Sequence, residues 1–214
     1  MRIFHVLNRA LQRGLVVSRL GWIVRRLLAP DLNSAIIRAF PADLKPDVTR
    51  LAMLLNPPWD MSASKGFAVS CGGEVIHIPY RIYRPAMSEG QFAALSPVER
   101  SIAACWFSRH HDGYVRERFL RALPAFDSPW IIAYVVALSG EYVVELLNSI
   151  WERRALFDVP SLGRWLRENP DFHARTRQRI ISYWNCYYRT ARFETYVGSQ
   201  LIALFDEAIA LDPS

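Results

Sequence analysis

Residues 96–123, SPVERSIAACWFSRHHDGYVRERFLRAL, decide how this chain folds. Ser96 precedes Pro97 and stands three positions before Glu99, a capping box with proline at the first helical position, where its missing N–H costs nothing. The pattern predicts two short helices joined at His110-His111-Asp112-Gly113, the second carrying Asp112-x-x-Val115-Arg116. No phosphate-binding glycine loop, nucleophile elbow, zinc box or dinucleotide fingerprint occurs in the 214 residues. The stretch therefore announces an architecture without a reaction.

Downstream, helices continue. Ser128-Pro129 repeats the capping device before an apolar run read as one long helix from Trp130 to Arg153, and Val159-Pro160-Ser161 precedes a short helix around Leu162 to Glu168. Asn169-Pro170-Asp171 starts another helix running to Arg189, and Val197 to Leu211 closes the chain. Upstream, Gly66 to Tyr83 changes period. Phe67 and Val69 alternate, Gly72-Gly73 supplies a two-residue turn that needs positive φ, and Ile76, Ile78, Tyr80 and Ile82 alternate after it, which predicts a β-hairpin. Pro79 cannot donate a ladder hydrogen bond, so the second strand must end or lie at an edge there. Ile76, Ile78, Tyr80 and Ile82 are expected to face the helices.

Residues 2 to 13 place Ile3, Leu7, Ala10 and Leu11 on one helical face and Arg2, Arg9 and Arg13 on the other. Pro30-Asp31 closes a second helix and another begins near Asn33-Ser34. Pro41, Pro46 and Pro57-Pro58 then divide the chain into short pieces, leaving a helix from Asp47 to Leu55. The expected organisation is a basic helical segment over 1–60, a hairpin and linker over 61–95, and a helical core over 96–214. All three belong to one compact, mainly α domain.

Hydrophobic residues make up 51% of the chain and charged residues 21%, enough apolar content for a sizeable core and too much for a disordered chain. The formal net charge is +6. Lys45 and Lys65 are the only lysines, and the arginine excess is what GC-rich codons produce. Basic balance bears on solubility and non-specific binding, not on fold. Cys71, Cys105 and Cys186 lack metal or redox spacing and read as reduced thiols packed as small hydrophobes in a cytoplasmic protein. Arg19 and Arg25-Arg26 interrupt the apolar start too often for a signal peptide. Glu141, Glu145 and Asn148 make Trp130 to Ile150 a core helix in preference to a membrane span.

The D-x-x-V-R start at Asp112, Val115 and Arg116, with Leu120 and Leu123 beyond it, resembles the second helix of a HEAT-type helical repeat over about residues 97–153. That resemblance implies stacked antiparallel helix pairs, a HEAT/armadillo-like bundle, with an Asp at the turn, an Arg in a polar ladder and a concave surface that binds macromolecules. The hairpin, and the lack of a second D-x-x-V-R unit, depart from a long solenoid. Ile78 to Tyr83 and Gly140 to Glu145 also resemble stretches of bacterial proteins to which no activity attaches.

Three constellations carry chemistry. His110, His111 and Asp112 could ligate a metal, as in all-helical His-Asp phosphohydrolases, but no further His or Asp stands at a supporting spacing, and the plainer role of Asp112 is helix capping. Glu141 and Glu145, at i and i+4, head a polar stripe through Asn148 and Glu152. Their expected partners are Arg109 and Arg116, in a ladder that locks two helices together; if either carboxylate is buried, its removal must be costly. His173, Arg175, Arg177 and Arg179, beside Tyr183, Trp184, Tyr187 and Tyr188, approach a nucleic-acid surface, yet Ile180 and those aromatics have the spacing of a core stripe.

The expectation is a non-enzymatic helical scaffold of the adaptor or toxin-neutralising kind, binding another protein through Arg109, His110, His111, Arg116, Glu141 and Glu145, with no catalytic residue, metal or cofactor. The alternatives are a metal-dependent phosphohydrolase on His110, His111 and Asp112, and a peripheral membrane protein using residues 1–29 against anionic lipid. Nucleic acid is the lesser partner.

Overall fold

The computed structural model describes residues 32–55, 63–190 and 192–211. The chain divides after Asp31, and every described element belongs to the unit that begins at Leu32. The expectations for residues 1–29 and for Pro57-Pro58 fall outside the described residues. Ten α-helices and one antiparallel hairpin appear within them: α1 (Leu32–Arg38), α2 (Lys45–Leu55), β1 (Gly66–Cys71), β2 (Glu74–Pro79), α3 (Glu89–Ala93), α4 (Pro97–Phe107), α5 (Gly113–Arg121), α6 (Pro129–Ser139), α7 (Val144–Glu152), α8 (Val159–Glu168), α9 (Pro170–Tyr183) and α10 (Val197–Ala210). The fold is mainly α with one small β-hairpin.

Local chemistry sets most of the boundaries. Ser96 Oγ accepts the Glu99 N–H at 3.2 Å and Glu99 returns the bond to the Ser96 N–H at 3.0 Å, so α4 opens on a complete capping box. Asp112 caps α5 by accepting the Tyr114 N–H at 2.9 Å. At α6 the device differs: Ser128 occupies the cap position, but its hydroxyl donates to Asp127 instead of accepting from the helix.

Helix α6 is buried at every position from Ile131 to Ser139, which makes it the central rod of the core. Around it lie Trp106, Phe107, Phe126, Trp165 and Phe205, all fully buried. The single helix expected from Trp130 to Arg153 is in fact two. Gly140 ends α6, residues 141–143 run outside any helix, and α7 restarts at Val144. Breaking there turns Glu141 inward, away from the stripe it would have shared with Glu145. Helices α8 and α10 approach so closely that a Cβ on Gly163 would lie 2.0 Å from the Ala208 carbonyl oxygen, which explains the glycine.

In the hairpin, Val69 faces Ile76 and Cys71 faces Glu74 across a turn in which Gly72 and Gly73 have φ of 64° and 87°. Pro79 ends β2. Val69, Cys71, Ile76 and Ile78 are buried, as is Ile82 beyond the strand; Tyr80 departs from the expected core face and is 38% exposed. A residue next to those flanking a two-residue turn points its N–H and C=O away from the partner strand. Ser70 is that residue, and the Asn169 side chain meets both groups, accepting its N–H at 2.7 Å and donating to its C=O at 2.9 Å. A third bond joins Asn169 Nδ2 to the Trp165 carbonyl at 2.9 Å. The neighbouring Glu168 carboxylate accepts the Gly73 and Gly72 N–H groups at 3.0 and 3.3 Å, and the Ser70 hydroxyl. The junction of α8 and α9 thus holds the hairpin by edge and turn.

Candidate functional site

Beyond β2 the chain stays extended, and Ile82 bridges both Ala63 and His110. The Ile82 N–H donates to the Arg109 carbonyl at 2.8 Å and the His111 N–H to the Ile82 carbonyl at 3.1 Å. This stitch fixes the α4–α5 connection under the end of the hairpin. Arg109 then donates from Nε to the Pro79 carbonyl at 3.2 Å and from Nη2 to the Tyr80 carbonyl at 2.9 Å. Arg116, one turn into α5, donates from Nη1 to the carbonyls of His110 and His111, each at 2.9 Å. Both arginines thus satisfy carbonyls that the loop leaves bare.

Their remaining edges turn to Glu141. Arg109 Nη1 lies 3.2 Å from Oε1 and Arg116 Nη2 lies 3.3 Å from Oε2. Arg81 makes the strongest contact, a fork with Nη1 at 2.8 Å from Oε1 and Nη2 at 2.6 Å from Oε2. Glu141 is 5% exposed and Arg109 and Arg116 are each 2% exposed, so the cluster is inside the protein, while Arg81 reaches solvent. Three guanidiniums against one carboxylate leave a cationic excess. Burial lowers the Arg109 pKa to about 10 against the opposing pull of Glu141, with Arg81 and Arg116 adding to the lowering. Arg116 is lowered by the same burial, again opposed by Glu141. Both stay charged at neutral pH. Arg109 Nη1 forms no aligned hydrogen bond despite its 3.2 Å contact with Glu141.

Above the cluster opens a cavity of about 280 Å³ whose walls include Phe67, Tyr80, Arg81, Arg109, Tyr142 and Arg179. Phe67 packs on Tyr80 and Phe172, with ring centroids 5.4 and 4.8 Å apart, giving an aromatic wall. The Arg179 guanidinium lies 5.6 Å from the centre of the Tyr80 ring. Arg179 is exposed and meets no carboxylate among the described residues. At the mouth, Tyr142, Tyr183 and Tyr187 form a triangle with centroids 6.0 to 6.3 Å apart. Tyr142 and Tyr187 are 51% and 65% exposed. The chain bearing Tyr187 is a π-helical turn, Trp184–Tyr188, that ends the expected run to Arg189. Tyr188 Oη donates to the Tyr142 carbonyl at 2.8 Å and ties this turn to the α6–α7 break. The expected core stripe therefore holds at Ile180, with Tyr183, Trp184 and Tyr188 half-buried and Tyr187 outside.

The remaining residues singled out from sequence separate. His110 is buried, its Nδ1 accepting the Asp112 N–H at 3.0 Å, so Nε2 carries the proton and donates to the Arg84 carbonyl at 2.6 Å. Both ring nitrogens are occupied, and Asp112 is committed to its cap. His111 is exposed and stacks on Tyr83 at 5.4 Å. Among the described residues no group of three or more His, Cys, Asp or Glu converges as a metal would need. Glu145 is exposed, and among the described residues Glu141 is the one carboxylate that Arg109 and Arg116 meet. Cys71 and Cys105 are buried free thiols, whereas Cys186 is exposed, contrary to the expectation of three packed ones. No described helix is long and apolar enough to cross a membrane.

Sequence reasoning missed Arg81 and Arg179 as members of the site, and Glu168 and Asn169 as the hairpin clamp. The alternation after Gly72-Gly73 sets Arg81 apart from Ile82 and the apolar face, but nothing in it pointed to Glu141. Arg179 carried only its place beside an aromatic run.

No protein-family model, curated protein or solved structure matches the chain. Fold and site define a mainly α protein whose hairpin end, helix break and α9 line an open, cationic, aromatic-walled cavity.

Proposed function

We propose that the chain is a non-enzymatic helical scaffold that binds an acidic segment of another protein, in the manner that the HEAT-type resemblance implies. The observation that carries this reading is the cationic excess at the cavity, with exposed Tyr142 and Tyr187 at its mouth and Arg179, which meets no carboxylate among the described residues, beside them. Tyrosine and arginine are the residues that dominate protein interfaces, because each offers large contact area with a polar end. Arg109, Arg116 and Glu141 support the surface from beneath without touching a partner, and His110 holds the loop that carries them. His111 is exposed and stacks on Tyr83, apart from the cavity walls.

The test is affinity capture from host lysate by the full chain and by a Tyr142→Ala/Arg179→Glu variant, each with and without nuclease. The expected result is a stoichiometric protein retained by the parent, indifferent to nuclease and lost from the variant. Equal retention by both, or retention that nuclease abolishes, overturns the reading.

A further inference from the structure

We infer that the cavity is a receptor for one carboxylate on a short apolar stem, presented by an acidic peptide segment and held by Arg179 and Arg81 over the buried charge of Arg109. The inference rests on the docking reading and names the group that enters the site.

Charge is the first argument. Among the described residues the cavity walls carry Arg81, Arg109 and Arg179 against Glu141 alone, and Arg116 adds a further cation behind Glu141. Buried charge is tolerated best when paired, and here two buried guanidiniums, Arg109 and Arg116, share the one carboxylate of Glu141, so an anion at the mouth offsets the excess. The second argument is hydrogen bonding. Arg109 Nη1 is inside the protein without an aligned acceptor, and Arg179 offers a whole guanidinium fork at the mouth. An acceptor at the mouth takes the Arg179 fork, and the buried Arg109 charge attracts it from beneath. The third is shape. Phe67, Phe172 and Ala137 line the walls, and a bare ion would leave these apolar surfaces wet, whereas a methylene stem covers them. Glu141 decides between anions, because its fixed negative charge repels a phosphate dianion more than a carboxylate.

The test is calorimetric titration of the full chain, at constant ionic strength, with a blocked hexaglutamate peptide, glutarate, inorganic phosphate and a blocked hexalysine peptide. Both carboxylate probes are expected to bind, the peptide more tightly, and hexalysine not at all. Arg179→Gln should weaken them about tenfold or more, the loss of a charge-assisted hydrogen bond. Arg179 is exposed, so this variant keeps its fold, and Arg164→Gln, exposed on α8 away from the cavity, should bind like the parent. Tighter binding of phosphate than glutarate overturns the assignment, as does glutarate binding without peptide binding, or equal weakening by Arg164→Gln. If capture depends on Tyr142 and Arg179 yet neither carboxylate probe binds, the carboxylate assignment falls and the docking reading stands. If both probes bind and no partner is captured, the docking reading falls and the carboxylate site stands.

Discussion

Glu141 and Glu145 lie four positions apart and have opposite fates. Removing Glu141 leaves Arg109 and Arg116 buried without a counter-ion, so Glu141→Ala should cost about 3–5 kcal/mol of stability. Glu145→Ala, at an exposed position, should stay within about 0.5 kcal/mol. Urea denaturation of the two variants checks the contrast, and equal losses would refute the buried ladder. His110 gives a second residue-scale expectation. Burial holds its imidazole below the ordinary pKa, outweighing the Arg84 carbonyl that favours the proton. The unfolded histidine therefore takes up a proton at higher pH than the folded one. Stability from neutral His110 is full above about pH 6.5 and is lost as pH falls towards the folded value. His173, lowered chiefly by burial, contributes in the same window. Denaturation between pH 7.5 and 5.5 should show a shallower slope for His110→Gln than for the parent, and a shallower one still when His173 is also replaced. Parallel slopes would contradict the buried neutral tautomer.

At the scale of elements, the α8–α9 junction and the hairpin stand or fall together. Asn169→Ala strips three hydrogen bonds from one buried amide and should cost about 2–3 kcal/mol. Burial raises the Glu168 pKa, but the bonds from Ser70, Gly73 and Gly72 outweigh it and hold the carboxyl below its ordinary value. Its contribution is present above the unfolded pKa, about 4.3, and is lost as pH falls through the folded one. Glu168→Gln should flatten the acid limb of a stability profile; an unchanged limb would mean that the turn is held by other groups. Elements with local signals were legible in sequence: the Ser96-Pro97-Glu99 box, the Gly72-Gly73 turn, the Asp112 cap. The break at residues 140–143 was not, because α6 is apolar on every side and its pattern has no phase to mark a stop. Gly140 was the only punctuation. The clamp was hidden for another reason, since Asn169 and Ser70 are 99 positions apart and nothing local in either predicts the other.

For the molecule as a whole, mainly α architecture with a hairpin between 66 and 83 could be read from periodicity and turns alone. Arg109, Arg116 and Glu141 were named as one ladder from charge and helix order, and they do meet. What the chain could not disclose in one dimension is where ladder, hairpin end and α9 converge. Arg81 reaches Glu141 across 60 positions, and Arg179 arrives from a different helix. The cavity is a product of tertiary packing, with α6 as the rod around which these segments are gathered.

The Asn169 amide has one more consequence. A two-stranded ribbon exposes two flanks, and a flank with unmet backbone groups is a template on which a second chain can lay a strand of its own. At Ser70 the amide fills the place of that strand with a single side chain. Losing it should therefore do more than loosen the fold: Asn169→Ala ought to sediment as larger species with rising concentration under conditions where the parent does not. On that expectation the residue that anchors the hairpin would also keep neighbouring molecules from adding to it.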